Sequence, residues 1–199
     1  MAEASSTDRP LDEQVRLEIV DQVAWITIDR PEKGNALSPP CRDRIRDLIN
    51  ELNGSYAARA IVLTAAGDKL FCPGADLSHR VPSERPEGVP ERAVGDARRM
   101  MLDGQYTLFP AILDSELPII AAVNGTAAGM GAHLAFACDL VIAAEGTKFI
   151  EVFSRRGLVV DALGAYLLPR TIGLHKAKEL VLFADDLPVP IIDVTDMKG

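Results

Sequence analysis

Apolar and polar residues alternate in two short runs near the start of the chain, VRLEIV over 15–20 and VAWITI over 23–28, separated by Asp21-Gln22. Alternation marks a half-buried strand, and two such runs around a two-residue polar break predict a β-hairpin. The loop RPEKGNALS follows. Ser38 then offers an oxygen to cap a helix whose first turn accommodates Pro39. Ile45, Leu48, Ile49 and Leu52 fall on one face of that helix, and Asn53-Gly54 ends it. AIVLTA (60–65), PIIAAV (118–123) and DLVIAA (139–144) are short apolar runs of strand length. A helix is predicted over about 94–113, and a glycine-rich turn over 125–131 leads into a short one. Further helices are predicted near 163–168 and over 175–183. Strands alternating with helices give an α/β class. Residues 1–13 are polar and read as a disordered segment, while 80–92, rich in Pro, Glu and Arg, read as a mobile surface loop.

Composition narrows the functions that fit. With 199 residues, 48% of them hydrophobic and 25% charged, the chain suits one ordinary domain. A net charge of −8 argues against nonspecific nucleic-acid binding, which needs a basic surface. Cys41, Cys72 and Cys138 form no CxxC pair, so neither a zinc site nor a disulfide framework is expected. The opening residues lack a signal pattern, and the most apolar stretch, 118–144, is broken by Asn124, glycines, His133 and Asp139. No membrane span is expected, and the default location is the cytoplasm.

Two segments share one design. In AIVLTAAGDKLFCPGADL and PIIAAVNGTAAGMGAHLA a buried strand runs into a small-residue turn and then a helix start. Glycine lets a backbone approach a ligand closely. Two backbone N–H groups converging on one point would hold a carbonyl oxygen as it becomes negative. The same glycines would equally let helices pack tightly on strands, so the pattern by itself leaves both meanings open.

The pairing of FCPGADL with IIAAVNGTAAGMGAHLAFACDLVIAAEGTKF resembles the signature of the enoyl-CoA hydratase/isomerase (crotonase) superfamily. RPEKGNALS resembles that family's early CoA-proximal loop, and GLVVDALGAYLLPRTIG its later catalytic segment. The resemblance runs from about Val15 to Phe183. It implies a spiral of stacked ββα turns, an acyl-CoA-binding core over 14–183, and a thioester carbonyl held between the N–H groups of Ala75 and Met130. Most relatives carry glycine where Met130 stands; a backbone donor survives that exchange, provided the methionine side chain does not displace the loop. The implied substrate and CoA contacts are Ala75, Asp76, Leu77 and Ser78, with Lys33 and Ala36 beside them and Phe153 at the acyl end. No cofactor is implied, since coenzyme A belongs to the substrate, and no metal.

Hydratases of this family use two glutamates, because adding water needs an oriented nucleophile and a proton donor. His133 stands at the first of those positions and Phe153 at the second. Glu151 lies two residues away, on Phe153's side of a strand. Asp161, in GLVVDALG, matches an aspartate of several family isomerases, and the segment around it resembles the isomerases of phenylacetate degradation that act on enoyl and ring-epoxide CoA thioesters. The resemblance therefore implies proton transfer through an enolate by Asp161, with His133 as a second candidate base and Phe153 as a dry wall. A helix N-cap is the competing use of Asp161. His79 and His175 read as surface residues, Cys72 and Cys138 as small buried hydrophobes, and Arg155 and Arg156 as solvated.

Beyond Phe183 the resemblance stops, leaving 184–199 as an atypical tail where relatives carry further helices; the C-terminal helical section reads as truncated or altered. The family's homo-oligomer, built on trimers, is expected to be weakened for that reason. Three functions are in play: a double-bond isomerase, an enoyl-CoA hydratase, and a noncatalytic acyl-CoA-binding protein.

Overall fold

The computed structural model describes residues 9–78, 88 and 95–188. His79 and nearly all of the loop expected over 80–92 lie outside that set, as do 189–199. Of the segment 1–13 expected to be disordered, 1–8 lie outside the described residues, and 11–13 belong with Gln14 to one helical turn, α1 (Leu11–Gln14). Arg9 tethers this end, donating to the backbone carbonyls of Asp29 and Glu13.

The predicted hairpin forms as β1 (Val15–Val20) and β2 (Val23–Ile28), antiparallel about Asp21-Gln22, both with positive φ. Its burial is one-sided. Ala24, Ile26 and Ile28 of β2 are fully buried, while on β1 Leu17 and Ile19, opposite Ile26 and Ala24, are exposed and Val15, opposite Ile28, is buried. β1 lies at the sheet edge, so its alternation marks a strand without marking a core face. Helix α2 (Pro39–Asn53) begins and ends as the capping residues require: the Ser38 side chain accepts from the Cys41 N–H, and Gly54 closes the far end. Its buried face is Cys41, Ile45, Leu48, Ile49 and Leu52.

The rest is built from three ββ units. β3 (Ala60–Ala65) is followed by β4 (Leu70–Cys72) and then by α3 (Asp96–Leu102) and α4 (Gln105–Leu113). One helix was expected over 94–113; Gly104, at φ −118 and ψ −90, leaves the helical region and divides it. β5 (Ile119–Val123) runs into β6 (Thr126–Ala128) and α5 (Met130–Phe136). β7 (Leu140–Ala143) runs into β8 (Lys148–Ile150), then α6 (Gly164–Ile172), α7 (Leu174–Phe183) and β9 (Asp186–Pro188).

The first strand of each unit joins one sheet, in the order β1-β2-β3-β5-β7, parallel from β2 onward. The second strand of each unit joins another, β4-β6-β8-β9, parallel until β9. Successive units therefore stack as turns of a spiral, with the core between the layers (Leu63, Phe71, Phe109, Ile119, Leu134). The α/β class and the ββα turns are as expected. The second sheet was not predicted, because its strands are only three residues long.

Candidate functional site

The loop between β2 and α2 is organised from within. Asn35 sits at φ 63. Its amide accepts from the Arg30 N–H at 3.0 Å and donates to the carbonyls of Ala66 and Leu70 at 2.9 and 2.7 Å. Arg30 is almost fully buried, and its guanidinium reaches the Ala36 carbonyl and, at 3.0 Å, the Asp76 carboxylate. Leu37 then bridges the next loop: it donates to the Gly74 carbonyl and accepts from the Asp76 N–H, both at 2.9 Å. Ala75 is held between these two bonds, its own N–H unused by any backbone carbonyl among the described residues.

The second loop meets the first. A Cβ placed on Gly74, at φ 106, would lie 3.5 Å from Met130 N, and one on Gly131 only 2.0 Å from the Cys72 carbonyl oxygen. At Gly131 only glycine permits this approach, while at Gly74 it is the positive φ that favours glycine. Gly129, at φ 52, turns the chain into α5, and its carbonyl accepts from Ala132 and His133 but not from Met130. Among the described residues, neither the Ala75 nor the Met130 N–H donates to a backbone carbonyl. The Met130 side chain is buried in the core, so it packs inward rather than displacing the loop.

The expected CoA contacts divide by environment. Lys33, Ala75, Leu77 and Ser78 are exposed and Ala36 is half-buried. Asp76 is occupied within the chain: besides Arg30, its carboxylate accepts from the Ser78 N–H and hydroxyl. Burial opposes its ionisation, but the hydrogen bonds from Ser78 and Arg30 outweigh that and hold the carboxyl down at about 2. Its side chain serves as scaffold for the Ala75 loop.

Asp161, His133 and Phe153 come together with a residue outside the expected set. His133, on α5, is fully buried, and its Nε2 lies 2.9 and 3.1 Å from the two carboxylate oxygens of Glu151. Phe153 stacks on the imidazole, ring centroids 5.6 Å apart and planes 9° from parallel. Glu151 and Phe153 thus share a side as expected, although β8 ends at Ile150 and they stand beyond it. Glu151 carried a visible signal, an acidic residue alternating with apolar ones. Its partner, 18 residues away, was not visible.

Asp161 is half-buried and is not a helix N-cap. Leu163 occupies that position, and the Asp161 backbone carbonyl accepts from the Gly164 N–H at 2.8 Å. Ala162 and Leu163 both have positive φ, a costly conformation for side-chain-bearing residues that tends to cluster at functional sites. Burial pushes the Asp161 carboxyl up, and the nearby Glu151 charge adds to this; a hydrogen bond with Gln105 and the His133 ring pull the other way. Asp161 faces a cavity of about 490 Å³ whose walls include Arg98, Met101, Gln105, Tyr106 and Phe109 from α3 and α4 and Tyr166 from α6. These wall residues escaped the sequence reading, since the chain brings them together only through the spiral.

His175 is exposed, as are Arg155 and Arg156, with Arg155 pairing to Asp186 at 3.3 Å. Cys72 and Cys138 are buried, and burial pushes each thiol up to about 12. No helix among the described residues is long and apolar enough to cross a membrane.

The sequence profile of the enoyl-CoA hydratase/isomerase family matches residues 18–190. A protein of Rhodobacter capsulatus named probable enoyl-CoA hydratase is 41% identical over 87% of this chain and 62% of its own length. The 1,2-epoxyphenylacetyl-CoA isomerase of Escherichia coli is 36% identical over 83% of this chain and 60% of its own. The crystal structure of an enoyl-CoA hydratase from Bacillus anthracis superposes with a TM-score of 0.78 at 29% identity, covering 88% of this chain and 65% of that one. The chain spans about three fifths of the length of these two curated relatives. The spiral fold, the extent of the profile match and the level of identity lead to one conclusion: this chain belongs to the enoyl-CoA hydratase/isomerase family.

Proposed function

We propose that this chain moves a double bond, or isomerises a ring epoxide, in an acyl-CoA thioester, with Asp161 as an acid/base group. The carrying observation is the half-buried Asp161 facing a cavity of mostly apolar lining, its carboxyl raised by burial. A carboxyl so placed can hold a proton and release it, which is what shifting a double bond demands. Charge that develops on the thioester oxygen would be met by the N–H groups of Ala75 and Met130, which have no backbone partner among the described residues. Phe153, in place of a second glutamate, stacks on His133 and offers no group to hold a water there. The coenzyme A carried by the substrate is the only cofactor this reaction needs. The likeness to the E. coli isomerase supports this reading.

Hydration is the second reading. The carboxylate of Glu151 lies beside His133, so with Asp161 the site contains two acid/base systems, and a relative from Syntrophomonas wolfei is named crotonyl-CoA hydratase. The deciding experiment offers a β,γ-unsaturated acyl-CoA and crotonyl-CoA to the parent and to Asp161→Asn, with product analysis. The expected result is migration in the parent, little hydration, and a loss of about 10²–10⁴ in migration rate in Asp161→Asn. Rapid hydration of crotonyl-CoA by the parent would sink the isomerase reading.

A further inference from the structure

The pairing of Glu151 with His133 has no part in a mechanism that uses Asp161 alone. The two side chains are 3% and 0% exposed. A carboxylate only accepts, so Nε2 carries the hydrogen, and in the neutral ring Nδ1 is left with a lone pair. Nδ1 is buried and has no hydrogen-bond partner among the described residues. A histidine retained for packing satisfies both nitrogens as a rule, because an unpaired polar atom in the interior is costly. The ring is also held rigidly. Phe153 stacks on its face, and Gly164 closes its Cε1–Nε2 edge. Phe153 in turn lies 3.5 Å from where a Cβ on Gly129 would stand, which ties the imidazole to the loop that presents the Met130 N–H. This arrangement, a carboxylate on one nitrogen and a free lone pair on the other, is how an imidazole is set up to accept a proton.

We propose that Glu151 is a positioning residue that fixes His133 as a second proton-handling group, with Nδ1 taking the proton from the carbon beside the thioester carbonyl and Asp161 supplying one at the far end of the migrating double bond. This rests on the isomerase reading. In a β,γ-unsaturated thioester the α C–H bond breaks, its proton passes to Nδ1 and its electron pair enters the enolate. Glu151 balances the imidazolium. The Asp161 carboxyl then gives its proton to the γ-carbon, where the returning electron pair forms the new C–H bond as the double bond moves into conjugation. As the product leaves, water entering the site takes the proton from the otherwise buried His133 and returns one to Asp161, so nothing is oxidised or reduced. The raised Asp161 carboxyl suits the donor's part.

Isotope exchange separates the two groups. The full chain is given a β,γ-unsaturated acyl-CoA in heavy water, and NMR follows deuterium entering the α-position while absorbance follows conjugation. Asp161→Asn should lose migration but keep α-exchange. Glu151→Gln and His133→Gln should each lose α-exchange by about 10²-fold or more in kcat, with KM unchanged, and the double variant should lose no more than either single one. Gln at 151 still accepts from Nε2, so the fold has reason to survive; thermal melting checks this, and His133→Gln carries the same test if it does not. Exchange and migration at the parent's rate in folded Glu151→Gln would overturn the proposal and leave Asp161 acting alone. Glu151-dependent exchange in a parent that moves no double bond would support the pair while removing the isomerase reading.

Discussion

Gly164 packs so tightly on His133 that a methyl group on its Cα would stand 2.1 Å from the imidazole Cε1 and 2.3 Å from Nε2. The first residue of α6 therefore sets the position of a side chain on α5, on the edge that faces Glu151. Gly164→Ala should displace the ring and cost about 1–3 kcal/mol, the usual range for overpacking a filled interior. Thermal denaturation would read the loss, and activity should fall with it. An unchanged melting temperature would show that the ring is less confined than this contact implies.

Asp76 should give the chain an acid limit. Its carboxyl is held at about 2, against an ordinary 3.8. A depressed carboxyl contributes stability that is complete above about pH 4 and is lost as pH falls through about 2. Urea titrations across that window should show the decline, and Asp76→Ala should flatten this part of it. The same change leaves Arg30 buried without its partner, which should cost about 3–5 kcal/mol at neutral pH.

Thioester binding should depend on the contact between the two loops. Calorimetry with a nonreactive acyl-CoA analogue should show binding by the parent. In Gly131→Ala the new methyl would meet the Cys72 carbonyl at 2.0 Å, forcing the Met130 loop away from the Ala75 loop. Affinity should fall by about tenfold or more, roughly 1.4 kcal/mol. Equal affinity in the folded variant would argue against Met130 as a donor.

Apolar residues around α6 and α7 should drive self-association. Leu158, Val159, Leu174, Leu182 and Phe183 are all exposed, Val159 to 88%, and several line a groove of about 640 Å³ with Leu168 and Val181. Contiguous exposed apolar surface of this kind marks an interaction site or an aggregation hazard. Sedimentation over a range of concentrations should show mass rising with concentration, and Leu182→Lys with Phe183→Lys should suppress it. A concentration-independent monomer would show that water tolerates the patch.

Local features of the sequence determined much of the chain by themselves. Ser38, Pro39 and Gly54 marked the ends of α2 because capping is a matter of adjacent residues. Alternation marked β1 and β2 because side chains on a strand alternate whatever surrounds them. The glycine-rich loops, together with the family resemblance, singled out Ala75 and Met130. Tertiary structure decided the rest. β4, β6 and β8 are too short to carry a period, and they exist as strands only because the spiral stacks them. Arg30 meets Asp76 across 46 residues and His133 meets Glu151 across 18, distances at which composition and spacing are silent. By its residues alone Asp161 reads more readily as a helix cap, and the family resemblance is what turns it toward catalysis. Only the left-handed turn through Ala162 and Leu163 starts α6 three residues later, so that the carboxyl faces the cavity. Periodicity and capping are properties of neighbours along the chain. Burial, charge pairing and the direction a carboxyl faces are properties of neighbours in space.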